Sequence, residues 1–268
     1  MMAIKWLTFC FALILLFLAS YIKNSQAKVD SASNSWTTAR RDSAGMSPDP
    51  VKMKHDAIIQ IYAAPTYGWR GLVAVHPWII FKRAGEAQFT RYEVVGWLGP
   101  NFVRRDYAVP DGYWFGKQPE RFVDIRGSQA EGLIPKIEAA IKAYPYSNTY
   151  KAWPGPNSNT FMAHIGREVP GLKLDLPANA IGKDYRGLAD PIGLSPSGRG
   201  VQLSVLGILG FTLGMEEGGE INLLGLNFGV DIKQPALRLP FIGRLGFDNS
   251  SVDEMQLQES SSKPVRPG

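Results

Sequence analysis

The chain has 268 residues, 45% hydrophobic and 20% charged, with a formal net charge of +5. That length supports one good-sized core, or a core with a small lobe, and the scattered arginines and lysines form no basic stripe of the kind that nucleic-acid binding needs. The single cysteine, Cys10, lies in an apolar N-terminal run, and His55, His76 and His164 are dispersed, so no disulfide framework, metal site or cofactor is expected.

Lys5 precedes seventeen residues, 6–22, without a charge. As a helix this run is about 25 Å long, slightly short of a hydrocarbon core of about 30 Å. It fits a retained anchor or a cleaved export signal, with Ser25-Gln26-Ala27 offering the small residues that a signal peptidase reads. Residues 1–27 are therefore expected to engage the membrane. The body is expected outside the cytoplasm, anchored in the inner membrane and facing the periplasm, or exported to the periplasm if the leader is cleaved. Residues 28–53 are polar and aperiodic and read as a disordered tether; residues 249–268 read as a disordered tail. The span 54–248 is then one globular α+β domain.

Within it, residues 56–63, 73–82 and 89–97 read as three strands of an antiparallel meander, since their connections are too short for crossover helices. Pro77 marks the second as an edge or a bulge. Residues 121–126 read as a fourth strand. Ser128 and Glu131 form the pattern of a capping box, and Leu133, Ile134, Ile137, Ala140 and Ile141 then repeat at helical spacing up to about Tyr144. Trp153-Pro154-Gly155-Pro156 reads as a turn into a second helix from Ser158 to about Val169, ended by Pro170-Gly171. Beyond it, residues 201–214 and 220–231 are apolar and punctuated by glycine. They read as the two strands of a glycine-rich hairpin turning at 216–219, with 238–247 closing the sheet or lying over it.

Ser158, at the amino end of a helix, would sit among free N–H groups and partial positive charge. A serine there needs a neighbouring base to take its proton, and His76 on the second strand is the best candidate. Glu93 or Tyr92 on the next strand would orient its ring, only one of them facing inward. Asn157 and Asn159 would donate to an oxyanion or hold the loop. Trp78, Trp114, Trp153, His164, Lys183 and Tyr185 are candidates to line a groove. Plainer roles stand beside these: Ser158 or Asn157 as a helix cap, His76 as a half-buried strand histidine, and His164 as a structural residue.

The order of a strand histidine, a further strand and then Asn157-Ser158-Asn159-Thr160-Phe161 opening a helix resembles the circularly permuted papain-like proteins. These include lecithin–retinol acyltransferase-like proteins and PPPDE-type peptidases, with serine here in place of the nucleophilic cysteine. The resemblance covers roughly residues 55 to 170 and implies a permuted papain-like fold. More broadly, the blocks His76-Pro77-Trp78-Ile79-Ile80-Phe81-Lys82, Pro110-Asp111-Gly112-Tyr113-Trp114, Trp153-Pro154-Gly155-Pro156-Asn157-Ser158-Asn159-Thr160-Phe161 and Ala180-Ile181-Gly182-Lys183-Asp184-Tyr185 look like those of an uncharacterised conserved bacterial family, a domain of unknown function.

Two functions follow as expectations. One is a non-catalytic cell-envelope protein whose papain-like groove binds an envelope peptide, polymer or lipid, or serves a structural role. The other is a serine-variant amidase, peptidase or acyltransferase, which needs Ser158 Oγ within about 3.5 Å of a His76 nitrogen.

Overall fold

The computed structural model describes residues 11–22 and 35–246. They form an α+β structure with two antiparallel sheets and three helices.

The first sheet has the order β4-β3-β2-β1-β5, from β1 (Ile58–Pro65), β2 (Val75–Lys82), β3 (Thr90–Val94), β4 (Val103–Arg105) and β5 (Glu120–Arg126). Its two faces are both covered, which is why β1 and β2 read as nearly unbroken apolar runs. Ile59, Ile61, Ala63, Val75, Ile79 and Phe81 pack under α2 (Gly127–Lys142) and α3 (Ser158–Glu168). Ile58, Tyr62, Trp78 and Ile80 take the other face, where Ala39, Met46, Met53, Trp114 and Phe115 cover them.

Several expectations change here. β2 is an interior strand, not an edge; its ladder to β3 is in register only from Ile79 onward, so Pro77 falls where no partner on that side asks for its missing N–H. The strand Val103–Arg105 is additional. Residues 35–53, inside the expected tether, pack on the sheet, held by Asp111, whose carboxylate accepts from Ser43 Oγ (2.7 Å), Met46 N (2.6 Å) and Ser47 N (2.9 Å). The expected capping box of α2 does not form. Arg126 is the N-cap residue, and Glu131 instead accepts from the backbone of Ala84 at 3.1 Å.

The expected C-terminal hairpin is a seven-stranded meander in chain order: β6 (Ile192–Leu194), β7 (Gly200–Val205), β8 (Leu209–Gly214), β9 (Gly218–Leu223), β10 (Leu226–Asp231), β11 (Ala236–Leu239) and β12 (Gly243–Gly246). Each run expected as one strand folds back on itself at a Leu-Gly pair. Leu206 and Gly207 have φ of 54° and 68°, and Leu224 and Gly225 have φ of 56° and 81°. Positive φ at successive turn residues matches the twist of tight hairpins. Residues 238–247 do extend the sheet, through β11 and β12.

Residues 11–22 are helical and are called α1 here. Among the described residues no helix is long and apolar enough to cross a membrane. The cleavage site expected at Ala27 and the tail at 249–268 lie outside the described residues.

Candidate functional site

β2 and β3 place three ionisable side chains on one face of the first sheet. Glu93 accepts from Arg91 through both oxygens, Nε to Oε1 at 2.7 Å and Nη2 to Oε2 at 3.0 Å. His76 Nε2 lies 2.8 Å from Glu93 Oε2. Arg91 also donates to the Val109 carbonyl at 2.7 Å, and its guanidinium lies over Trp78, 4.1 Å from the ring centre. Trp114 stacks on the imidazole at 3.8 Å with planes 6° apart. All three ionisable groups are buried.

Burial alone would raise the Glu93 pKa. The Arg91 guanidinium and the His76 hydrogen bond outweigh it and hold the carboxyl below its usual range. Burial pushes the His76 imidazole below its ordinary value, and Arg91 adds to this, against the opposing pull of Glu93. The pair is therefore a neutral imidazole donating from Nε2–H to an ionised carboxylate. Among the described residues His76 Nδ1 has no hydrogen-bond partner.

Both shifts have the same consequence in acid. An unfolded His76 takes up a proton near pH 6.5 that the folded protein refuses until lower pH. Glu93 loses its contribution as pH falls through its depressed folded value. Stability is thus expected to fall as pH drops through about 6.5 toward the lower folded values of the histidines, and further below about pH 4.3 through Glu93. His164, also lowered by burial, adds to the first step. Urea midpoints across this range check the expectation, and His76→Gln should flatten the upper part of the profile.

Of the two candidate orienting groups, Glu93 faces His76. Tyr92 points to the opposite face, where its ring stacks on Phe81 at 6.0 Å and packs with the core under the helices.

At the start of α3, Asn157 is the cap. Its Oδ1 accepts from the backbone of Asn159 (2.9 Å) and Thr160 (3.2 Å), and Thr160 Oγ1 accepts from Asn157 N (3.0 Å), completing the reciprocal box. The side-chain amides lock the loop. Asn157 Nδ2 donates to the carbonyls of Ala152 (3.1 Å) and Ile181 (2.9 Å), and Asn159 Nδ2 to those of Val75 (3.1 Å) and Ile181 (2.9 Å). Both amides are thus committed to holding the loop. Gly182, at φ 97°, passes so close that a Cβ there would lie 2.4 Å from Asn157 Nδ2.

Ser158 follows as the first residue of α3, buried, and its hydroxyl makes no hydrogen bond among the described residues. The Asn159–Val75 bond brings the helix start to the residue before His76. Yet β2 alternates, and His76 projects with Trp78 into the cluster opposite the one that α3 covers. No hydrogen bond joins Ser158 Oγ to His76.

The residues expected along one groove divide among three places. Trp78 and Trp114 surround His76. His164 ties α3 to α2 through the Ala140 carbonyl at 2.9 Å. Trp153, Lys183 and Tyr185 lie where the 153–185 segment meets the second sheet. There Trp153 Nε1 donates to the Leu224 carbonyl at 3.0 Å, Tyr185 lies beside Gly207, and Lys183 pairs with Glu220.

That meeting place holds a second buried polar network, which sequence reasoning missed. Asp184 accepts from Gln202 (2.7 Å), Asn222 (3.1 Å) and Asn227 (2.7 Å). Arg238 donates to Glu220 at 2.6 Å and to both oxygens of Asp175 at 2.7 and 2.6 Å. Arg91 was missed too, although its spacing of two from Glu93 on a strand already placed both on one face.

Residues 56–185 match the model of a family described as a protein of unknown function (DUF3750). The match begins before β1 and ends just past Asp184, so it takes in the first sheet, α2, α3 and the locking loop, and stops before the second sheet. No curated protein and no solved structure matches the chain.

Proposed function

We propose that this chain is a cell-envelope protein with a binding or structural role, a non-catalytic relative of the papain-like arrangement, facing the periplasm. The observation that carries this reading is the side of the sheet to which His76 projects, opposite the one that α3 covers. Its ring is stacked on Trp114, its Nε2 is held by Glu93, and it makes no hydrogen bond with Ser158. The chemistry of the loop agrees, because the asparagine amides that an oxyanion would need are already bound to backbone carbonyls. An envelope peptide, polymer or lipid would be held at the aromatic surface beside His76. There the half-exposed Trp97 lies 5.9 Å from Trp114 and 5.8 Å from Phe115.

One observation favours a second reading. His76 Nδ1 and the Ser158 hydroxyl both lack partners among the described residues, while Glu93 fixes the imidazole. A hydrolase or acyltransferase would use this arrangement, with Ser158 attacking a carbonyl and His76 taking its proton. A fluorophosphonate probe on the purified full-length chain separates the two. The expected result is no labelling above that of Ser158→Ala. Labelling of the wild type that is lost in both Ser158→Ala and His76→Ala would overturn the non-catalytic reading.

A further inference from the structure

The seven-stranded sheet reverses the usual arrangement, in which an antiparallel sheet packs its apolar face and solvates its polar one. Its inner face, toward the 175–184 segment, carries the buried Gln202, Thr212, Glu220, Asn222, Asn227 and Arg238. Its outer face carries Phe211, Leu213, Ile221, Leu223, Val230 and Leu237, each between 37% and 62% exposed. The strand register links them into rows; Leu203, Phe211, Ile221 and Phe228 stand side by side across four strands. No charged side chain interrupts these rows.

Seven strands about 4.8 Å apart, at about 3.3 Å per residue, give a face of roughly 30 by 20 Å, about 600 Å². That is at the upper limit of the apolar patch that a typical monomer leaves in water.

α1 adjoins the sheet. Phe17 meets Phe241, in the turn between β11 and β12, edge-on at 6.1 Å, and Ser20 Oγ donates to the Leu72 carbonyl at 2.6 Å. Phe11, Ile14, Leu15 and Leu18 of this helix are exposed.

We propose that α1 and the outer face of the sheet form one surface that rests on a lipid bilayer. A second copy of the chain stacked on the sheet would leave the apolar residues of α1 in water. A bilayer covers both, and the uncharged run 6–22 has the composition for it. The sheet lies on the membrane and does not cross it. Six-residue strands reach about 20 Å against a core of about 30 Å, and the open edges at β6 and β12 would leave backbone groups unpaired in hydrocarbon. The proposal concerns a different surface from the His76 site and does not depend on the reading given for it.

The test places single cysteines at Phe211→Cys, Ile221→Cys and Lys142→Cys in a Cys10→Ser full-length chain. Each is labelled with nitrobenzoxadiazole and reconstituted in phosphatidylcholine vesicles with or without brominated acyl chains. Positions 211 and 221 are exposed, so the substitutions leave the core intact. The expected result is a blue shift and loss of most emission to brominated lipid at 211 and 221, with neither at 142 on the surface of α2. Water-like emission at 211 and 221 overturns the proposal. So does a blue shift that brominated lipid leaves unquenched and that grows with the protein-to-lipid ratio, which would identify a second copy as the occupant.

Discussion

Arg91→Met is expected to lower the stability of the protein by about 3–5 kcal/mol, as removal of one partner from a buried ion pair generally does. Glu93 is fully enclosed and receives two of its hydrogen bonds from Arg91. Methionine can fill the space of the arginine stem, but it leaves the carboxylate with His76 alone. Glu93 must then remain an uncompensated charge or take a proton. The change also removes the donor to the Val109 carbonyl and the cation over Trp78. Urea unfolding at neutral pH measures the loss. Because the cost is mainly that of the stranded carboxylate, Arg91→Met combined with Glu93→Leu should recover a large part of it. A single variant within about 1 kcal/mol of wild type, the worth of an exposed pair, would mean that the triad is solvated.

The second large effect belongs to Glu220→Ala. Glu220 is the carboxylate between two buried cations, Lys183 and Arg238. Its removal leaves Lys183 with only Asp184, 3.8 Å away, and leaves Arg238 to Asp175, which is itself partly exposed. A loss of about 3–5 kcal/mol is again expected, with the loosening concentrated in β9, β10 and β11 and read by hydrogen exchange of those strands.

The alkaline limb should change as well. Burial by itself would lower the Lys183 pKa; Asp184 and Glu220 outweigh it and raise it. The wild type therefore holds this contribution below about pH 10.4 and loses it as pH rises through the folded value. Glu220→Ala removes one of the two groups that raise it, so the alkaline loss of stability should be smaller in the variant than in the wild type. An unchanged exchange pattern in β9 to β11 would show that the network does not hold the second sheet in place.

The first sheet was legible because its signals are local. Apolar runs bounded by Gly and Pro marked its main strands, and the asparagines and serine at 157–159 marked the start of α3. Alternation along β3 left only one of Glu93 and Tyr92 able to face His76, and the register of β3 on β2 decided for Glu93. Three-residue β4 is too short to show a period, and the packing of residues 35–53 depends on Asp111, more than sixty positions away.

The second sheet departs from the sequence expectation because each apolar run holds two strands and a turn. A fourteen-residue strand at 201–214 is longer than strands usually run, and Leu206-Gly207 at its middle was the turn. Leucine at positive φ is not an ordinary turn signal, since asparagine, aspartate or glycine normally occupies that position. The relation of Ser158 to His76 was not legible at all. Spacing in sequence fixes neither which face of β2 a helix covers nor where its first residue ends up.

The most direct measurement is the nitrogen resonances of His76 in the folded protein, compared between wild type and Ser158→Ala as pH is varied. The expected result is a neutral ring protonated at Nε2, a pKa below the ordinary imidazole value, and the same curve in both proteins. A His76 pKa or tautomer that shifts when the Ser158 hydroxyl is removed would contradict it, because the two groups would then share a proton.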